Sequence, residues 1–309
     1  MKLWLKILIS VIALSLLFAL APWHEVRRAV GQISFMVWIV ALIGFIAGHS
    51  LGVAKWQMMV NAGRSYLRWI AAIECYTAGL FANLCLPSIV GGDLLRATLA
   101  GKATGKPEAA ILGGVADRVG DLVVSGLLVC SGGLLAGEAL MGWRSQIAGL
   151  GLTISLFVGL ACLPLLLQRP LSRWPARYRR LIARGLIVLR RLWRNPQTAL
   201  QALLISLLVQ SGFVLINVWI GRAIGIDAPL AVWFLTWPLA KVAALAPISL
   251  GGLGVRDATL AALLASFGVP PALSLAASLI WQSVMIAGGL LSGLLWWRLS
   301  DYRRQRGSF

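Results

Sequence analysis

The sequence predicts an all-α polytopic membrane protein: about six transmembrane helices plus two oppositely oriented re-entrant helical hairpins, arranged as an inverted-topology repeat. Three observations carry this. Hydrophobic residues make up 59% of the 309 and charged residues 12%, against roughly a quarter charged in soluble domains. Several apolar runs reach the roughly 20 residues that cross a bilayer. Finally, one pattern occurs twice within apolar sequence: Pro87, three residues, Gly91-Gly92, then Asp93 and Arg96; and Pro247, three residues, Gly251-Gly252, then Arg256 and Asp257. A lipid-facing helix does not carry such breaks, because broken backbone at membrane depth survives only where protein or a water-filled cavity covers it.

The net charge of +18 raises a nucleic-acid reading, and its placement removes it. Nine arginines and no acids fall between Arg169 and Arg194, and Arg298, Arg303, Arg304 and Arg306 close the sequence. Clusters at the ends of spans follow the positive-inside rule, with anionic lipid headgroups as an additional partner. The longest polar interval, residues 168–197, is too short for a separate core, so 1–309 is one transmembrane domain. Repeat one covers about 1–137 and repeat two about 145–309. Cys75, Cys85, Cys130 and Cys162 form no CxxC and read as small hydrophobes. No metal or other cofactor is expected, since His24 and His49 fall at no recognisable ligand spacing with them. His49 reads instead as an interhelical hydrogen-bonding group.

Taken in order, residues 1–23 resemble a signal peptide, but Pro22 after Ala19-Leu20-Ala21 disfavours cleavage; they read as a retained first span. A short loop, 23–31, leads to a second span at 32–54, where Gly44, Gly48 and Gly52 form a small-residue ridge for a neighbouring helix. Lys55, Arg64 and Arg68 then mark a cytoplasmic loop. Residues 71–101 hold the first break. If 71–86 crossed fully, Leu94–Gly101 would be too short to return, and the nine arginines would fall outside. A hairpin that dips in and returns keeps them inside. Spans follow at 109–135 and 145–167, then the arginine-rich segment, whose leucines and Trp193 suit a helix lying in the headgroup plane. Asn195-Pro196 starts a fifth span at 197–221. The second break lies within 229–268, and a sixth span covers 272–297. Trp23, Trp56, Trp69, Trp219 and Trp297 are expected as interfacial anchors near span ends. Each half contains three crossings and one hairpin, so the second half is inverted. Such discontinuous helices meet near the midplane around a substrate site.

The chemistry expected there is anion binding. A helix restarting after each Gly-Gly offers unpaired N–H groups and a partial positive charge. Arg96, Arg118, Lys241 and Arg256 add cationic donors, and Asp93, Asp117, Asp121 and Asp257 balance them or carry protons. Asp117 and Asp121 share a helix face, with Arg118 in reach of Asp121. Charges inside a membrane are functional-site candidates by default. The competing reading is structural: Asp93 with Arg96, Arg118 with Asp121 and Arg256 with Asp257 as fasteners of the hairpins. Catalysis is disfavoured, because the sequence holds no HExxH or GxxxxGK[ST], and Gly48-His49-Ser50-Leu51-Gly52, which matches GxSxG, falls inside the apolar span 32–54 rather than on a strand-to-helix turn.

The series Asn83, Pro87, Gly91-Gly92-Asp93, Arg96, Asp117-Arg118, Pro247, Gly251-Gly252 and Arg256-Asp257 resembles the lysylphosphatidylglycerol synthase transmembrane family over nearly the whole length. That pattern usually ends in Glu where Asp257 stands. The larger members carry a soluble aminoacyl-transfer domain, and this sequence has none. The resemblance implies movement of an anionic lipid, such as a phospholipid or polyprenyl-linked intermediate, between leaflets of the bacterial cytoplasmic membrane. The charge count puts both termini in the cytoplasm. Alternatives are an ion-coupled transporter of a small anion, or an intramembrane lipid-modifying enzyme. The expected partners are membrane lipids and not nucleic acid. Oligomeric state is left open, a homodimer among the options.

Overall fold

A computed structural model of the protein describes residues 23–63, 65–85, 89–136, 196–244 and 254–305. Among these, every regular element is a helix: α1 (Trp23–Gly31), α2 (Phe35–Ala62), α3 (Trp69–Cys85), α4 (Ile89–Thr104), α5 (Pro107–Leu135), α6 (Pro196–Ala223), α7 (Leu230–Ala243), α8 (Val255–Ala265) and α9 (Pro271–Gln305). The expected spans at 1–23 and 145–167 and the arginine-rich segment 169–194 lie outside the described residues. So do Pro87, Pro247, Gly251 and Gly252.

Helices α2, α5, α6 and α9 are long and apolar enough to cross a membrane; the protein is a multi-pass membrane protein. Their starts follow ordinary capping chemistry. The Ser34 hydroxyl accepts from the Met36 N–H at 3.2 Å, covering one orphan donor at the α2 N-terminus. Proline opens α5, α6 and α9, where its missing N–H leaves no bond unmade.

Two sequence expectations are corrected here. Residues 23–31 form a helix rather than a loop. Val26 and Ala29, one helical turn apart, are both buried, and Glu25 and Arg28 sit at the ends the helix dipole favours. Helix α2 also runs on to Ala62, about two turns past the expected span end. Lys55 does not terminate it, because that ammonium is buried and ion-paired.

The four other helices after α1 are short and come in pairs. At 1.5 Å per residue, α7 and α8 reach only roughly 21 and 17 Å, less than the ~30 Å hydrocarbon core. Helices α3 and α4 flank residues 86–88; α7 and α8 flank residues 245–253. The chain folds back between α3 and α4. The Asn83 Oδ1 accepts from the Gly92 N–H at 3.1 Å, while further out Gly79 faces Arg96, so the helices are antiparallel. Their approach needs glycine, since a Cβ on Gly79 would meet the Gly92 carbonyl oxygen at 2.8 Å.

The long helices pack through small residues. On α2, a Cβ at Gly44 would strike Ile216 and one at Gly48 would strike Phe213, both on α6; Gly52 faces the Tyr76 hydroxyl. The expected ridge is therefore the α2–α6 and α2–α3 contact. On α5, Gly132 sits against the α7 backbone, 2.7 Å from the Phe234 carbonyl carbon to where a Cβ would stand. An aromatic cluster fills the centre: Phe45, Phe213 and Trp237 surround Trp281 at ring distances of 5.9, 5.7 and 5.7 Å. His49 joins it and meets the Tyr76 hydroxyl at 3.2 Å, the interhelical bond expected of it. Trp69, Trp219 and Trp297 are exposed at helix ends, as anchors should be, but Trp56 is fully buried. Its ring is needed beneath a guanidinium, as described next.

Candidate functional site

Six charged side chains from three helices form one connected network inside this helix bundle. From α2, the Lys55 Nζ lies 2.9 Å from Asp117 and 2.5 Å from Asp121 on α5. Those carboxylates are four residues apart and therefore share a helix face, as the sequence predicts. Ser206 on α6 closes the corner, 3.0 Å from both Lys55 and Asp121. From α4, Arg96 reaches Asp117 at 3.4 Å and Asp93 at 3.2 Å. Its guanidinium lies 4.8 Å from the Trp56 ring centre and 4.9 Å from that of Tyr76. Two aromatic faces thus supply the cation with electron density in place of water.

The sixth member differs. The Arg118 Nε and Nη2 each donate to Asp93 at 2.8 Å, a two-bond fork. The Arg118 side chain is 42% exposed and that of Asp93 25%, against 5–6% for Lys55, Arg96 and Asp117. One ion pair of the network therefore opens on the protein's surface, Asp121 is partly exposed at 18%, and the other three members are sealed. Arg118 lies in the middle third of α5, roughly 16 Å along a helix roughly 43 Å long.

A second cluster belongs to α8 and α9. Arg256 binds Asp257 through Nη2 at 2.9 Å, Gln282 at 3.1 Å and the Met285 sulfur at 3.2 Å, and lies over Trp237 at 5.7 Å. Asp257 accepts from the Ser278 hydroxyl and, at 3.2 Å, from the Gly254 N–H. Gly254 has φ +80°, a left-handed conformation that glycine adopts without strain as α8 begins. Between the clusters, Lys241 on α7 donates to Gln210 on α6 at 2.7 Å.

Several sequence expectations change. Lys55 is no loop residue; it joins Asp117 and Asp121. Arg118 pairs with Asp93 rather than with Asp121, because Lys55 and Ser206 already occupy Asp121. The expected Asp93–Arg96 and Arg256–Asp257 pairs are both present. The N–H groups expected to be free at the restarted helices are partly taken: Asn83 covers Gly92, and Asp257 covers Gly254. The expected restart after Gly91-Gly92 is also corrected: α4 begins at Ile89, so both glycines lie inside its first turn. Sequence reasoning missed Lys55, Trp56, Tyr76, Ser206 and Gln210. For Lys55 the signal was available: it is the lone Lys, Arg, Asp or Glu between Phe35 and Ala62, in a mostly apolar stretch.

The fold and site together define a class: a polytopic membrane protein whose helices carry a connected charge network inside the bundle. The family is more specific. Residues 3–293 match the lysylphosphatidylglycerol synthase TM region, and the chain belongs to that family. Neither the curated proteins nor the solved structures give a match.

Proposed function

We propose that this protein moves an anionic lipid between the two leaflets, its headgroup phosphate held at Arg118 while the acyl chains stay in the bilayer. The observation that supports this is the half-exposed Arg118–Asp93 pair, with Arg118 in the middle third of α5, a helix long and apolar enough to cross a membrane. A guanidinium there is costly unless paired, and a phosphate offers the same two-oxygen geometry as the carboxylate it replaces. The buried pairs around Lys55 and Arg96 would hold that position still. In this reading the α3–α4 and α7–α8 pairs are re-entrant hairpins entering from opposite faces. Six crossings in the full chain then set both termini on the cytoplasmic side of a bacterial inner membrane. The second cluster at Arg256 serves the headgroup on the other half of its path. The protein acts as a transporter and not as an enzyme, and its partners are the lipids themselves.

The test is leaflet exchange of a fluorescent phosphatidylglycerol in proteoliposomes, read by bleaching of the outer leaflet. Arg118→Ala and Arg256→Ala each slow exchange at least tenfold while the purified variants keep their elution profile and thermal transition. Unchanged exchange in both sinks the proposal. Gradient-driven uptake of a soluble anion by the same vesicles would favour the small-anion transporter, and a covalently altered lipid would favour an enzyme.

A further inference from the structure

The Arg118–Asp93 pair needs a route by which a headgroup reaches it, and the α4–α5 seam offers one. The two helices run antiparallel along this seam. Asp93 pairs with Arg118, Arg96 with Asp117, and Gly101 lies against Pro107, whose Cα a Cβ there would meet at 2.8 Å. At that last end the surface opens into a groove of about 310 Å³ lined by Ala97, Thr98, Gly101, Lys102, Pro107 and Ile111, with Gly105 at the turn. Its size sits at the lower end of small-ligand pockets, about 300 to 1,000 Å³, which suits a headgroup or one chain segment and not a whole lipid.

Charge marks both ends of the route. Lys102 is exposed at the rim, with Lys106 and Glu108 on the adjoining turn. Seven residues from Ile111, or roughly 10 Å along α5, stands Arg118. Between them the lipid-facing surface is apolar and open: Thr98 and Leu94 one turn apart on α4, Ile111 and Val115 one turn apart on α5, all exposed. Thr98 spends its hydroxyl on the Leu94 carbonyl at 2.7 Å, so it adds no polar barrier. A cation at the mouth, a smooth apolar wall and a paired cation at the end match a phosphate that travels on a lipid tail. A soluble anion has no use for the apolar wall.

We infer that the α4–α5 groove is the admission site for a glycerophospholipid with an anionic headgroup, recruited at Lys102 and passed along the seam until its phosphate displaces Asp93 from Arg118. The inference rests on the lipid-moving reading, and it is tested by binding rather than by transport. A photo-reactive benzoylphenylalanine is placed at Thr98 and, as a control, at Leu208, which is exposed on α6. Each protein is reconstituted in vesicles of phosphatidylglycerol and phosphatidylcholine and irradiated, and the captured lipid is identified by mass spectrometry. A single cation near the membrane surface is worth about a fivefold enrichment. The Thr98 probe is therefore expected to capture phosphatidylglycerol about fivefold above its share, the Leu208 probe at its share. Lys102→Gln removes the enrichment. Equal capture at the two positions, or enrichment that survives Lys102→Gln, overturns the groove. Enrichment at Thr98 in a protein without exchange activity upholds the groove and retires only the transport reading.

Discussion

Replacing Lys55 by Met tests whether the sealed half of the network is structural. The ammonium touches two carboxylates at 2.9 and 2.5 Å, and its side chain is 5% exposed. At an effective dielectric of about 20, each contact is worth roughly 6 kcal/mol before desolvation is subtracted. Most of that is offset by taking three charges out of water. The measurable quantity is the cost of removing one partner and stranding the others, about 3 to 5 kcal/mol, a factor of roughly 100 to several thousand in the folding equilibrium. Met matches the stem of Lys in length, so lost packing contributes little. The assay is equilibrium unfolding in mixed micelles of mild detergent and dodecyl sulfate, followed by tryptophan fluorescence. Adding Asp121→Asn removes one stranded charge and is expected to recover part of the loss. The reasoning is refuted if Lys55→Met unfolds within about 1 kcal/mol of the parent protein, or if Asp121→Asn deepens the loss. Either result means that Asp117 and Asp121 do not depend on Lys55.

Three further outcomes follow from the packing. Gly132→Leu pushes a side chain into the α7 backbone near Phe234 and Ala231; about 1 to 3 kcal/mol of stability is lost, visible as a lower thermal transition, while Gly31→Ala, with open space around it, has no such cost. Asn83→Ala frees the Gly92 N–H and costs about 1 kcal/mol; hydrogen exchange of the first α4 amides rises, and unchanged exchange there counts against the clasp. Asp257→Asn weakens the hold on Arg256, Ser278 and Gly254 together. It is expected to destabilise α8 more than Ser278→Ala does, and faster hydrogen exchange of the first α8 amides reports the difference.

The sequence by itself determined the class of protein and much of its site. Apolar runs fix the spans because hydrocarbon admits only helices whose backbone bonds are satisfied internally. Spans expected at 109–135 and 197–221 became α5 and α6 with ends moved by one or two residues, and the one at 272–297 became α9, which runs eight residues further, to Gln305. The doubled Pro-x-x-x-Gly-Gly pattern falls where the short helices α3 and α4, and α7 and α8, adjoin, with Pro87, Pro247, Gly251 and Gly252 outside the described residues. The four-residue spacing of Asp117 and Asp121 fixed their shared face. These are local properties, set by helix geometry and by the cost of charge in lipid. Partner choice is not local. Lys55 reads in sequence as the end of a span, since a bare ammonium ends one; only the carboxylates 62 and 66 residues away let the helix run through it. Arg118 lies three residues before Asp121 and yet takes Asp93, because Ser206, 85 residues further along, and Lys55 hold Asp121 first. Trp56 leaves its expected place at the interface for the same reason: Arg96, brought over it by α4, is a better partner than the headgroup layer. Which cation stays sealed and which opens at the α4–α5 seam was decided by how the helices stack.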